Sequence, residues 1–175
     1  MSQIVSSAKS TINDVAIATT PTTPVSVFKG HGGNIPDDHS SFQDDIVVND
    51  NFKITDVTVT LKGFFHTWVG DLIVQLRHLE TDTVVDLFRR PGQPHFSLSG
   101  YSSDLNGDYC FSDRNSCKIE AAAGDNHVIP VGNYAPTGSL SAFYGLSAAG
   151  TWRLIINDCT PGDSGSLSSW ELELQ

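Results

Sequence analysis

At 175 residues the chain is long enough to bury one ordinary core without covalent staples. Its composition, 39% apolar and 17% charged with 15 Gly and 8 Pro, is globular and tilted towards turns and short strands. Asp and Glu outnumber Lys and Arg by 20 to 10, a field that repels phosphate backbones and anionic lipid headgroups and argues against nucleic-acid and membrane partners.

No stretch approaches the roughly 20 apolar residues of a membrane span, and the chain shows no basic start followed by an apolar run of the secretory kind. Residues 1–27 are rich in Ser, Thr, Ala and Pro and include Thr20-Pro21-Thr22-Thr23-Pro24, which predicts a flexible leader or linker. A folded module is expected over 28–175. It opens with a turn punctuated by Gly30, Gly32, Gly33 and Pro36, with Asp37, Asp38, Asp44 and Asp45 nearby.

From Phe52 to Leu61, apolar Val57, Val59 and Leu61 alternate with Thr58 and Thr60, the period of two of a half-buried strand. Leu72, Val74 and Leu76 share one face, and Val85 and Leu87 another. Ser139 to Tyr144 suits a single turn of helix, and no longer segment keeps a helical period. Trp152, Leu154 and Ile156 line up opposite Thr151, Arg153 and Ile155, and Ile73 and Ile155 predict strands covered on both sides. Trp170, Leu172 and Leu174 oppose Glu171 and Glu173, a strand with one wet face. Many short strands between Gly, Pro, Asn and Asp turns indicate an all-β sandwich or jelly roll.

Three cysteines, Cys110, Cys117 and Cys159, leave at least one unpaired within the chain. Cys110 and Cys117 either close a short disulfide loop or stay free thiols, and the spacings give no paired zinc ligands. His66, at a strand end before Thr67 and Trp68, reads as an imidazole that pins a loop, whereas His31, His39, His78, His95 and His127 read as surface residues. Gly162-Asp163-Ser164-Gly165 imitates the surroundings of a trypsin-like nucleophile. The little chain left after Ser164 cannot complete the two barrels which that chemistry needs, so the segment reads as a Gly-rich turn. Trp152 and Trp170 belong to the core, leaving Trp68 as the one candidate platform for stacking a sugar.

Four carboxylates stand out as candidate metal ligands: Asp71 in a Gly-Asp turn, Asp113 after Phe111, and Asp158 and Asp163 flanking the last turn. If these loops converge, the cluster repels itself unless a cation is present. A structural calcium is the cofactor such hard oxygen ligands would take. Hydrogen bonds from Thr, Ser or backbone N–H groups, or a basic side chain, are the competing device.

Four blocks occur in order: His66-Thr67-Trp68-Val69-Gly70-Asp71-Leu72, then Phe111-Ser112-Asp113, then Gly150-Thr151-Trp152-Arg153-Leu154, and finally Gly162-Asp163-Ser164-Gly165-Ser166-Leu167-Ser168-Ser169-Trp170-Glu171-Leu172. With Asn34-Ile35-Pro36-Asp37 and Leu140-Ser141-Ala142-Phe143-Tyr144-Gly145 they run in register from Asn34 to Leu172. In this order they resemble the P domain that follows the catalytic domain of subtilisin-like proprotein convertases. The resemblance implies a jelly-roll β-sandwich of the galactose-binding-domain-like type, outside the cell or on its surface. It implies a non-catalytic module that stabilises or modulates a partner, the catalytic domain of a serine endopeptidase or another protein. Residues 1–27 are too short to hold a catalytic domain, so proteolysis attaches to this chain by family association. The alternative is a calcium-dependent extracellular module that binds glycan or protein.

Overall fold

The computed structural model describes residues 24–38 and 40–175. The expected leader lies outside the described residues apart from 24–27, and so does His39. Nine strands form: β1 Ser26–Ile35, β2 Ser41–Val48, β3 Val57–His66, β4 Leu72–His78, β5 Thr83–Arg89, β6 Leu105–Ser112, β7 Gly132–Tyr134, β8 Gly150–Asp158 and β9 Gly165–Leu174. One short α-helix, α1, spans Ile119–Ala122, and 3-10 turns occupy Val69–Asp71 and Leu140–Phe143. The second of these is the helical turn expected near residue 140.

The strands build two sheets, a five-stranded one in the order β1-β9-β3-β6-β7 and a four-stranded one in the order β2-β8-β4-β5. Every pair is antiparallel except β6 with β7. This is the predicted all-β sandwich. Its core is one cluster drawn from the inward rows, with Leu72, Val74 and Leu76 of β4, Trp152, Leu154 and Ile156 of β8, and Trp170, Leu172 and Leu174 of β9 all buried. Each buried aliphatic side chain contributes about 1.5–3 kcal/mol over leaving it wet. Both core indoles have partners for the N–H: Trp152 Nε1 donates to the Ala148 carbonyl at 3.0 Å and Trp170 Nε1 to Asp44 Oδ2 at 2.7 Å.

Two bulges explain where the simple alternation fails. In β3 the inward residues are Val57, Val59 and Leu61, then Phe64 and His66. An extra residue between Leu61 and Phe64, relative to β6, switches the inward parity from odd to even. Gly63 sits there at φ +54, a left-handed conformation that glycine adopts without steric cost. The strand thus starts five residues after Phe52 and continues past the expected end at Leu61 to His66. In β5 a second register shift turns both Leu87 and Phe88 inward.

Two expectations change and one open choice is decided. His78 is not at the surface: it continues the inward row of β4, is 1% exposed, and lies 4.6 Å from the Trp152 ring. Its ring nitrogens reach Thr81 Oγ1 at 3.0 Å and the Ala149 carbonyl at 3.3 Å. Ile73 and Ile155 are only half-buried, on the outer face of the four-stranded sheet beside Gln75, Arg77 and Arg153. Finally, of the two states left open for the cysteines, the structure shows free thiols at Cys110, Cys117 and Cys159.

Candidate functional site

At one end of the sandwich β3 finishes, β4 begins, β8 finishes and β9 begins, because His66 pairs with Gly165 and Leu72 with Asp158. Between β3 and β4 the chain turns through residues 66–71. Val69 N–H donates to the Ser103 carbonyl at 2.8 Å and Gly70 N–H to the Tyr101 carbonyl at 3.0 Å. A Cβ on Gly70 would strike the Ser99 carbonyl oxygen and stand 2.8 Å from the Gly100 Cα, so the residue before Asp71 has to be glycine.

His66 is fully buried. Its Nδ1 accepts the Trp68 N–H at 3.1 Å, which leaves the ring proton on Nε2, where it is donated to Asp158 Oδ2 at 3.0 Å. The ring therefore ties the end of β3, in the five-stranded sheet, to the end of β8, in the four-stranded one. Both nitrogens are committed to this role, as the pinning function expected of His66 requires. Neither is free to serve Ser164, which is exposed and whose N–H donates to Thr67 Oγ1 at 3.4 Å.

The carboxylates divide. Asp71, Asp158 and Asp163 gather at this end, and their charges act on one another. Asp158 Oδ1 accepts the Thr160 N–H at 3.3 Å, and Asp163 Oδ1 accepts the Thr67 hydroxyl at 2.7 Å. Asp37 adds a fourth carboxylate there, accepting the Gly162 N–H at 3.0 and 3.1 Å. Asp113 lies at the opposite end, because β6 runs from Leu105 beside His66 to Ser112 beside Thr58. It accepts Leu140 N–H at 3.0 Å, Ser141 N–H at 2.8 Å and the Ser139 hydroxyl at 2.6 Å, and so anchors the Leu140–Phe143 turn.

Asp71 is the anomaly. It is 2% exposed, and its Oδ1 has no hydrogen-bond partner. Burial pushes its carboxyl above the ordinary range, and Asp158 and Asp163 push the same way against the Thr160 hydroxyl and Arg90. The Arg90 guanidinium is the neutralising group: its Nη2 lies 3.6 Å from Asp71 Oδ1 while donating to Thr160 Oγ1 at 2.9 Å, and its Nε donates to the Gly70 carbonyl at 3.0 Å. Burial likewise pushes the neighbouring Cys159 thiol up. Among the described residues no group of three or more His, Cys, Asp or Glu is disposed to hold a metal ion. A cation binding Asp71 Oδ1 would compete with Arg90 for that oxygen. Neither Arg90 nor Thr160 was singled out in the sequence, since both lie outside the alternating strands.

Trp68, the proposed sugar platform, is half-buried and donates its Nε1–H to the Ser99 carbonyl at 2.8 Å.

The family whose model matches is the proprotein convertase P-domain, over residues 121–174. Residues 121–174 are thus similar to the proprotein convertase P-domain. The matched segment holds β7, β8 and β9 with Asp158 and Asp163, and the 66–72 turn lies outside it. A crystal structure of a serine protease of Aeromonas sobria is similar at 16% identity and a TM-score of 0.45, covering 90% of this chain and 28% of that one. The complex of that protease with its chaperone is similar at 16% identity and 0.46, covering 89% and 28%. The chain thus spans 28% of the protease chains it matches. No curated protein matches it significantly.

Proposed function

We propose that this chain is a non-catalytic P-domain-like module, on a secreted or surface protein, that folds beside a subtilisin-like serine protease domain and stabilises or modulates it. The observation that carries the reading is the P-domain match over 121–174. The site chemistry supports it, because the His66 imidazole and the Asp158 carboxylate, the types of group a hydrolase would need, are spent on tying the two sheets together. The test is to express subtilisin-like catalytic domains from the same genome with and without this chain, and to follow their thermal inactivation. A longer half-life with the chain for at least one of them supports the reading, and no effect on any refutes it. Casein hydrolysis by the chain alone that disappears in Ser164→Ala would overturn its non-catalytic half.

A second reading, a calcium-dependent binding module, is favoured by Asp71 Oδ1, which is buried and accepts no hydrogen bond, beside two further carboxylates. Calcium would have to compete with Arg90 for that oxygen. Melting in calcium against chelator decides it: a higher midpoint in calcium that vanishes in Asp71→Asn supports a bound ion. Coincident curves rule it out.

A further inference from the structure

We propose that the loop over residues 91–101 is the docking element of this module, and that its Leu98 and Phe96, with Trp68 beside them, enter an apolar pocket rimmed by basic side chains on the partner. This rests on the partner being a subtilisin-like protease domain, and it adds the surface by which that domain is met. Leu98 is 87% exposed and Phe96 51%. The loop meets the half-buried Trp68 through the indole N–H, which donates to the Ser99 carbonyl at 2.8 Å. Single exposed apolar residues are ordinary, whereas several large ones carried by two bonded segments mark a contact surface.

The loop is also tied down by its own bonds. Tyr101 N–H donates to the Pro91 carbonyl at 2.8 Å and closes the neck, and the Glu120 carboxylate accepts the Gly92 N–H at 3.0 and 3.1 Å. Phe96 N–H donates to the Gly92 carbonyl at 2.7 Å, the Ser97 hydroxyl donates to the Gly100 carbonyl at 2.8 Å, and the Phe96 and Tyr101 rings lie 4.6 Å apart. A loop ordered before docking loses little freedom on docking, so the apolar area it buries goes into affinity. The surrounding charges select the occupant. Glu120 holds the loop, Asp125 accepts the Ser102 hydroxyl at 3.2 Å, and Asp163 accepts the hydroxyl of Thr67, the residue before Trp68. Arg90, just before the loop, is committed to Asp71, Gly70 and Thr160, which leaves His95 as the basic side chain within it. On a chain of formal net charge -10, this frame repels anionic lipid headgroups and is complemented by Lys and Arg around a partner's pocket.

The test is surface plasmon resonance of the full chain over immobilised subtilisin-like catalytic domains from the same genome, each with its nucleophilic serine replaced by alanine to prevent digestion. Wild type should bind at least one of them. Leu98→Asp should weaken that binding roughly tenfold or more, the effect of losing one buried leucine, and Phe96→Asp should weaken it too. Val47→Asp, at a residue 63% exposed on the outer face of the four-stranded sheet, should leave it unchanged. Because Leu98 is so exposed, Leu98→Asp should melt with wild type; if it melts early, Leu98→Ser takes its place. Binding that both loop variants leave intact overturns the docking element while the protease reading stands. If wild type binds none of the domains, that reading falls and the docking element with it. Cosedimentation of wild type, but not of Leu98→Asp, with phosphatidylcholine vesicles would make the loop a membrane contact and likewise overturn the proposal.

Discussion

Removing the His66 ring should be among the costliest single changes at this end of the molecule. His66→Ala deletes the donor to Asp158 Oδ2, at 3.0 Å between side chains that are both 0% exposed, and also the acceptor of the Trp68 N–H. Asp158 then keeps only the Thr160 N–H, at 3.3 Å. Leaving a buried acceptor without its donor costs about 1–3 kcal/mol. In a domain of this size each kcal/mol moves the midpoint by about 2–4 °C, so the loss should reach roughly 2–12 °C. Urea unfolding followed by tryptophan fluorescence measures it. Asp158→Ala and the double variant complete a cycle, in which the double should cost less than the sum of the singles by about 1 kcal/mol or more. A His66→Ala cost under about 1 kcal/mol, or strict additivity, would refute the tie between the sheets.

Gly70→Ala should destabilise by about 1–3 kcal/mol, because the new methyl meets backbone at residues 99–100 rather than a side chain that can turn aside; a midpoint within error of wild type would contradict that packing. Asp113→Ala should cost about 0.5–2 kcal/mol through the Leu140–Phe143 turn, equally in calcium and in chelator, since it lies away from the other three carboxylates; a calcium-dependent difference would show otherwise. Replacing both members of the buried pair, as His66→Leu with Asp158→Leu, should recover much of the stability lost in His66→Ala. Amide resonances of residues 66–71 and 158–163 should nonetheless broaden in the double variant; sharp, wild-type-like signals would show that the polar tie sets no geometry.

The alternating strands were legible because each buries a single face. The parity of Leu72, Val74 and Leu76 even extends to His78, which could have been placed inside by counting one step further. What the pattern could not reveal is where it restarts. β3 continues beyond Leu61 only because Gly63 supplies a left-handed residue that resets the inward row, and a lone glycine inside a strand is equally a sign of a strand end. The candidate site was half legible. Asp71, Asp158 and Asp163 do converge, but sorting Asp113 to the far end requires the direction of β6 relative to β3. Arg90 was invisible because it acts from an irregular segment, through one side chain that reaches Gly70 and Thr160 across the chain.

The placement of this polar network follows from what apolar packing leaves undetermined. Two sheets pressed together by Leu, Val, Ile and Trp gain stability in proportion to buried area, which is nearly indifferent to a small slide of one sheet over the other. A hydrogen bond is not indifferent, since it weakens steeply once its angle or distance departs from the optimum. His66 belongs to the five-stranded sheet and Asp158 to the four-stranded one, so their bond fixes the offset between layers at the rim, where fewer core contacts do so. Asp71 and Arg90 extend the same constraint to the loops on either side. A surface built from those loops is then held in one shape before any partner arrives, which lowers the ordering cost of docking against it.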